Sequence, residues 1–398
     1  MRRDDLLRRT FFYDSLRHIF QGPMDAMFLG IFLVIAIRFF HASVAWKAFF
    51  VTLCWAGGIF SPWIVQWISR FAYTATQMGG IFFLGTGICF LWASCAKSFS
   101  SYIILMAIAS IFYRSEGPIL INMYVRNYPD NRRATYFSIT MMFAALASIL
   151  FSQWSGYMLD KNLHYYRILL VVTSVCAFLC SLCFLRIPSP PMGMEKAQRK
   201  KCHYLRYLLT DRRFAKLSLH SFIIGFSYQM LIPMRIEHLA NVRYGMELSN
   251  LSIMLLTLAI PNAVRVLGTP IWGRFFDRCP LIPMRIAVGL FAFFGYLLFF
   301  HSREFGFLLC GGSFLGAAMA GSFILHNLWI ARIVDLDKVA AYMSVYVLIT
   351  GIRSILAPIA GYAILSISSP VFVSDVGAIL ILIAIVGFWS MRNDKSIR

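Results

Sequence analysis

The sequence predicts an all-α membrane protein with about 12 transmembrane helices, arranged as two parallel six-helix bundles. The first observation is composition, because 59% of the 398 residues are apolar and only 14% are charged. Soluble domains carry roughly 45–50% apolar and about 25% charged residues. The second observation is that the apolar residues form continuous runs long enough to span a bilayer, which takes roughly 20 residues. Continuous runs favour helices over a β-barrel, whose strands alternate apolar and polar residues.

The apolar runs predict six helices before residue 187 and six after residue 213. The predicted helices lie at 17–40, 44–69, 76–96, 101–125, 133–159, 165–186, 215–237, 248–273, 283–301, 305–331, 338–366 and 371–391. The segment between the two sets is polar, basic and opened by prolines. We therefore predict an N-terminal bundle over 1–186, a cytoplasmic linker over 187–213 and a C-terminal bundle over 214–398.

The charge distribution predicts the orientation in the membrane. The formal net charge is +20, which in a soluble protein would suggest binding to nucleic acid. With the N-terminus placed inside, most Lys and Arg residues fall in the inner loops and tails, as the positive-inside rule requires. This predicts a multi-pass protein of the inner membrane with both termini in the cytoplasm and no nucleic-acid partner. The N-terminal residues show no small-residue cleavage site, so the first apolar run is expected to remain as a helix.

Weak internal repeats predict that the two halves share one topology. The segment Ser61–Arg70 resembles Thr269–Arg278, and two later pairs of segments match in chain order at nearly the same offset. Six helices per repeat is an even number, so the halves run parallel. Parallel repeats that pack around a central cavity are typical of transporters.

Five charged residues lie more than four positions from either end of a predicted helix, namely Asp25, Arg114, Glu116, Arg265 and Arg353. A charged side chain at a lipid-facing helix centre costs roughly 2.5–3.5 kcal/mol. These side chains are therefore expected to face a bundle interior or a wet cavity. The alternative is a set of structural ion pairs that lock helices together.

The first-half residues suggest proton coupling. Arg114 and Glu116 are separated by about 200° around their helix, so one of the two must contact another helix. Asp25 is a candidate partner for Arg114. Burial disfavours the charged form of a carboxylate and a nearby arginine favours it, so a change of access or pairing could load and release a proton. Asp25 and Glu116 are the candidate carriers.

The second-half arginines suggest an anionic solute. Arg265 and Arg353 have no obvious carboxylate on their own helices, and the planar guanidinium suits carboxylate or phosphate. Gln229 and Asn262 could add polar contacts, although packing between helices is the alternative for both. The sequence contains no phosphate-binding loop, nucleotide fingerprint, HExxH motif or spaced Cys/His set. We therefore expect no catalytic residues, no metal, no cofactor and no enzymatic activity.

The segment Gly268–Arg278 resembles the loop signature of the major facilitator superfamily, which has the form G-x-x-x-D-R. Gly273, Asp277 and Arg278 match it. The resemblance implies that this segment acts as a latch for one conformation and does not bind solute. Arg114 resembles the membrane-embedded arginine of the family that is implicated in proton transfer.

These observations together predict a secondary active transporter that moves a small solute by alternating access. A proton is the expected coupling ion, an organic anion is one candidate solute, and the chain is expected to act as a monomer in the bilayer. An uncoupled facilitator is one alternative. A membrane scaffold, a sensor and a lipid scramblase are alternatives that do not transport such a solute.

Overall fold

The structure is a computed structural model. It describes residues 3–54, 74–116, 120, 123–124, 126–129, 132–189, 206–244, 246, 248–334 and 338–393. The helices of the first half are α1 (Arg3–Ala26), α2 (Phe32–Arg38), α3 (Val44–Cys54), α4 (Ala75–Ser94), α5 (Phe99–Arg114), α6 (Arg133–Lys161) and α7 (Tyr166–Arg186). The helices that follow are α8 (Arg206–Thr210), α9 (Arg212–Ala240), α10 (Asn250–Met254), α11 (Ile260–Arg278), α12 (Leu281–His301), α13 (Phe305–Leu328), α14 (Val339–Ile367) and α15 (Pro370–Ser390).

Two of the long apolar helices contain a π-helical turn. Met27–Ile31 joins α1 to α2, and Leu255–Ala259 joins α10 to α11. Counted with these joins, 10 helices in the described ranges are long and apolar enough to cross a membrane, and α3 and α5 are shorter apolar helices. The predicted fold class, a multi-pass all-α membrane protein, is confirmed. Most of the second predicted helix, 55–69, lies outside the described residues, as does the first-half copy of the repeated segment.

The first helix begins much earlier than predicted. The sequence placed its start at residue 17, but α1 runs from Arg3. The extra turns carry several charged residues, which lower the local hydropathy below that of a spanning segment. One face of these turns is nevertheless buried, including Thr10 and Asp14. Tertiary burial of one face therefore extends the helix beyond its apolar run.

The described residues form two compact units. Unit 1 comprises residues 1–197 together with 249–255, and unit 2 comprises 198–248 and 256–398. In unit 1, α1 packs against α6 and α7, and α4 packs against α5 and α7. In unit 2, α9 packs against α14 and α15, while α13 packs against α11 and α12. Part of the predicted linker is helical, because α8 lies within it and α9 begins at Arg212.

A glycine allows α1 and α6 to approach closely in unit 1. A Cβ atom added at Gly22 would lie 2.5 Å from Ala147 Cβ and 2.6 Å from the backbone nitrogen of Ser148. Both distances are shorter than van der Waals contact, so any larger residue would force the two helices apart. Pro23 follows inside α1.

One end of unit 1 is fixed by a helix cap. The Asp160 carboxylate accepts hydrogen bonds from the backbone amides of Asn250, at 2.6 Å, and Leu251, at 3.0 Å. These amides open α10 and would otherwise lack partners within the helix. Arg38 Nη1 donates to Asn250 Oδ1 at 2.7 Å. The ends of α2 and α6 are thereby tied to the start of α10.

Candidate functional site

A stripe of polar side chains runs along α1 in unit 1. It consists of Asp14, Arg17, His18, Gln21 and Asp25, each of which lies three or four residues from another member, so that they share one side of the helix. The first four are buried and Asp25 is half-buried. Only Asp25 was predicted as a site residue.

Arg17 lies at the centre of this stripe and is fully buried. Its Nε and Nη2 atoms donate to Asp14 Oδ1 at 3.1 and 2.9 Å. Its Nη1 atom donates to Gln21 Oε1 at 2.5 Å, and Nη2 donates to the Tyr124 hydroxyl at 3.2 Å. The guanidinium also lies 4.9 Å from the ring centre of Phe184. The cation is therefore held by one carboxylate, two neutral oxygens and an aromatic face.

Glu116 joins the same network from beyond the end of α5. Its Oε1 atom accepts from Gln21 Nε2 at 2.7 Å, and its Oε2 atom lies 3.5 Å from Arg17 Nη1. The residue is 8% exposed, so this carboxylate has little contact with solvent. The structure thus places the predicted carrier Glu116 beside Arg17, which was not among the predicted site residues.

Asp25 is connected to the network through a tyrosine. Gln21 Nε2 donates to the Tyr113 hydroxyl at 3.0 Å, and that hydroxyl donates to Asp25 Oδ1 at 2.5 Å. At the other end of the stripe, the Tyr128 hydroxyl donates to Asp14 Oδ2 at 2.8 Å. From Asp14 to Asp25 the chain of hydrogen bonds covers about 16 Å of helix length, at 1.5 Å per residue. Three carboxylates and one arginine therefore belong to one connected system.

Arg114 is the last residue of α5 and lies next to this system. Its guanidinium carbon is 5.9 Å from the ring centre of Tyr113. It also lies within electrostatic range of Glu116 and of the Cys54 thiol. A second cation therefore borders the carboxylates of unit 1.

In unit 2, the structure brings together two of the predicted site residues. Arg353 Nε donates to Gln229 Oε1 at 3.1 Å, and Gln229 Nε2 donates to Ser354 Oγ at 2.7 Å. Arg353 Nη1 donates to the backbone carbonyl of Ser221 at 3.1 Å. A Cβ atom at Gly225 would overlap the Arg353 guanidinium, so glycine makes room for it on α9.

Asn262 and Arg265 belong to a different part of unit 2. Asn262 is 3% exposed, and its Oδ1 atom has no hydrogen-bond partner in the described part of the chain. Arg265 is half-buried and lies within electrostatic range of Tyr228, as does Arg235 of α9. No hydrogen bond between described residues joins Asn262 or Arg265 to the side chain of Arg353.

Arginines without carboxylate partners distinguish unit 2 from unit 1. Four buried or half-buried arginines in the spanning helices of this unit have no ion pair with Asp or Glu among the described residues: Arg235, Arg265, Arg285 and Arg353. Arg285 is only 5% exposed. Arg285 was not among the predicted site residues.

The signature residues occupy the last turns of a helix and not a loop. Gly273, Asp277 and Arg278 all lie in α11, and only Cys279–Pro280 separates α11 from α12. Asp277 and Arg278 are exposed, and neither forms an ion pair with another described residue. These two side chains therefore do not fix the helix end through an ion pair between described residues.

Arg332 holds the end of α11 instead. Its Nη1 atom donates to the carbonyl of Cys279 at 2.9 Å, and its Nη2 atom donates to the carbonyl of Phe276. The guanidinium stacks 3.9 Å from the ring centre of Phe276. A cation at a helix C-terminus is favoured by the helix dipole and satisfies free carbonyl groups.

The long apolar helices, with buried charged side chains in both units, define a multi-pass membrane protein. The chain belongs to the Major Facilitator Superfamily, whose family model matches residues 19–280, more than half of the chain. No curated protein matches the sequence.

Several solved transporters share the fold. The nucleoside transporter NupG, in the form of a point mutant, matches with a TM-score of 0.81 and 13% identity over 98% of this chain and all (100%) of that chain. A bacterial homolog of the human lysosomal transporter Spinster, in an inward-facing and occupied conformation, matches with a TM-score of 0.71 and 16% identity over 100% of this chain and 98% of that chain. The xylose transporter XylE from E. coli, partially occluded and inward open, matches with a TM-score of 0.67 and 14% identity over 99% of each chain. At these identities the similarity shows the fold alone.

Proposed function

We propose that this protein is a secondary active transporter that couples a proton to the movement of a small organic anion by alternating access. It acts as a monomer in the inner membrane with both termini in the cytoplasm. Glu116 and Asp25 carry the proton, while Arg17 and Arg114 adjust the charge around them. The arginines of unit 2 bind the solute.

The observation that carries the coupling proposal is the environment of Glu116. Its carboxylate is buried, accepts a hydrogen bond from Gln21 and lies at the edge of ion-pair distance from Arg17. Arg17 makes shorter bonds to Asp14 and therefore compensates Glu116 only partly. A small change in the position of Arg17 would shift the balance between the charged and neutral forms of Glu116. Such a carboxylate can exchange a proton when its access to water changes.

The charge of unit 2 supports an anionic solute. Buried arginines that lack a carboxylate partner are costly, and a bound anion would offset that cost. A D-xylose-proton symporter is among the proteins that share the fold, which supports the proposal of proton coupling.

The coupling proposal is tested in proteoliposomes that contain a pH-sensitive dye. Succinate, gluconate and glycerol 3-phosphate are added one at a time, and solute entry is measured together with internal pH. We expect solute-dependent proton movement in the wild type. In Glu116→Gln we expect at least about a tenfold loss of proton movement with retained exchange of labelled solute, because the neutral amide keeps the hydrogen bond but cannot titrate. Asp375→Asn is the matched control, since Asp375 is 44% exposed and pairs with His301 at 3.0 Å, outside the network.

Each remaining outcome identifies another class of protein. Entry of solute without a change in internal pH in the wild type would favour an uncoupled facilitator. Movement of labelled lipid without solute entry would favour a scramblase. The absence of both lipid movement and solute entry would favour a scaffold or sensor. Normal proton coupling in Glu116→Gln would refute the role of Glu116.

A further inference from the structure

A cluster of buried hydrogen-bond donors lies inside unit 2, near the start of α12. Arg285 donates from Nη1 to Ser221 Oγ at 2.5 Å. Its other two nitrogens, Nε and Nη2, have no hydrogen-bond partner among the described residues. These two atoms form one edge of the guanidinium, which is the edge that can bind two oxygens of a carboxylate or phosphate side by side.

Trp329 adds a third donor at the same place. Its indole is fully buried, and Nε1 has no acceptor in the described part of the protein. The guanidinium carbon of Arg285 lies 4.7 Å from the ring centre of Trp329 and 5.2 Å from that of Phe388. The aromatic faces offset part of the charge of Arg285, but an interaction of this kind is worth only about 0.5–2 kcal/mol. The rings supply no hydrogen-bond acceptor for the free edge.

Further positive charge converges on the cluster from neighbouring helices. Arg353 donates to the backbone carbonyl of Ser221, the residue whose hydroxyl accepts from Arg285. His326 of α13 lies within electrostatic range of both arginines, and its ring centre is 5.1 Å from that of Tyr346. Arg353 and His326 are half-buried, whereas Arg285 and Trp329 lie deeper. The cluster therefore has a more exposed edge that carries positive charge and a buried end that carries free donors.

The groups around Arg285 and Arg353 do not neutralise the charges of these two arginines. The neighbours contributed by α9, α13, α14 and α15 and by the turn after α13 are Ser221, Gln229, His326, Trp329, Tyr346 and Phe388. None of these side chains is a carboxylate, and neither arginine has an acidic ion-pair partner in the described ranges. A buried cation without a paired charge is penalised by several kcal/mol, and buried donors normally find acceptors. All the unmet groups are donors, so the missing partner must be an acceptor with negative charge.

We infer that Arg285 and Trp329, with Arg353 and His326 at the entrance, form a binding site for an oxyanion such as a carboxylate or phosphate. This inference rests on the proposed function in one respect, since the oxyanion would be the charged group of the transported solute. It narrows the solute class to compounds with a planar or tetrahedral oxyanion that can accept from Nε and Nη2 of Arg285 and from Nε1 of Trp329. The site would bind a free inorganic oxyanion that travels with the solute equally well, because its chemistry is the same.

Binding is tested on the purified full-length protein without any transport. The apparent melting temperature is measured in sodium phosphate and in sodium chloride at equal ionic strength, because a ligand that binds only the native state raises it. We expect phosphate to stabilise the wild type more than chloride. In Trp329→Phe, which keeps the aromatic face and removes one donor to a charged group, we expect phosphate affinity to fall at least about tenfold. In Arg285→Gln the effect of phosphate should vanish.

The matched control is Arg274→Gln, which removes an exposed arginine of the same unit. Its response to phosphate should equal that of the wild type. If Arg285→Gln does not fold, Trp329→Phe still decides the question, since the phenyl ring preserves the packing. Equal effects of phosphate and chloride on the wild type, or unchanged phosphate affinity in Trp329→Phe, would overturn the site and assign the donors to water.

A second measurement separates the two sources of the oxyanion. External phosphate should inhibit uptake of an organic anion if both occupy the site, and it should accelerate uptake if phosphate travels with the solute. Both effects of phosphate on uptake should be absent in Arg285→Gln. If phosphate binds and depends on Arg285 while no proton moves with any solute, the coupling proposal fails and the oxyanion site stands. If proton-coupled uptake is unchanged in Arg285→Gln, the oxyanion site fails and the coupling proposal stands.

Discussion

Replacing Arg17 tests how much the polar network of unit 1 contributes to stability. In Arg17→Met the buried Asp14 carboxylate loses two hydrogen bonds, and Glu116 loses its nearest cation in α1. Removal of one partner from a buried ion pair costs about 3–5 kcal/mol, because the other charge stays buried. For a unit of roughly 200 residues, 1 kcal/mol corresponds to about 2–4 °C, so we expect the melting temperature to fall by about 6–20 °C.

The double variant Arg17→Met/Asp14→Asn checks the cause of this loss. If the uncompensated carboxylate of Asp14 is responsible, neutralising it should recover part of the stability, with an interaction energy of about 0.5–3 kcal/mol between the two sites. Thermal unfolding of the purified protein in one detergent, followed by tryptophan fluorescence, measures all variants. Arg274→Met, at an exposed position, should change stability by no more than about 0.5 kcal/mol. A loss in Arg17→Met no larger than this, or the absence of recovery in the double variant, would refute the reasoning.

Two further predictions concern packing and helix ends. Gly22→Ala should lower the free energy of unfolding by about 1–3 kcal/mol, because the new Cβ atom would overlap α6. The control Gly306→Ala should be neutral or slightly stabilising, since no neighbouring atom lies within 4 Å of its Cβ position. Equal melting temperatures for these two variants would contradict the close approach of α1 and α6. Arg332→Ala should cost about 1–3 kcal/mol through loss of the bonds to the end of α11, and Arg332→Lys should recover little because lysine lacks the planar fork. A melting temperature of Arg332→Ala equal to that of the wild type would show that the cap is dispensable.

The positions of the spanning helices could be predicted because each one depends on a local property, a continuous apolar run. The start of α1 could not be predicted in this way, because residues 3–16 are polar on average and their helix is stabilised by burial of one face. The stripe itself had a detectable signal. Asp14, Arg17, Gln21 and Asp25 recur at spacings of three and four, which places them on one helix face. Counting Arg17 as the beginning of an apolar run concealed that pattern.

The candidate site of unit 2 was predicted only in part. Arg353 and Gln229 were selected as charged or polar residues inside apolar runs, and the structure joins them by a hydrogen bond. Arg285 lies only four residues after the first residue of α12, where a charge ordinarily faces the interface. Whether such a residue points inward depends on neighbours from α9, α13 and α15, and this information is not local in the chain. The same reason accounts for Trp329, which reads as an interfacial aromatic residue.

The π-helical turn at Met27–Ile31 determines how α2 is rotated relative to α1 about their common axis. A π turn contains one residue more than an α turn, and each residue advances the helix by about 100°. Loss of a single amino acid between 27 and 31 would leave the continuous helix α1–α2 long enough to cross the bilayer. It would nevertheless rotate Arg38 away from Asn250, while Asp14 and Arg17 kept their positions. In homologous chains, insertions and deletions at this point should therefore be rarer than substitutions, even though both preserve the apolar character of the segment.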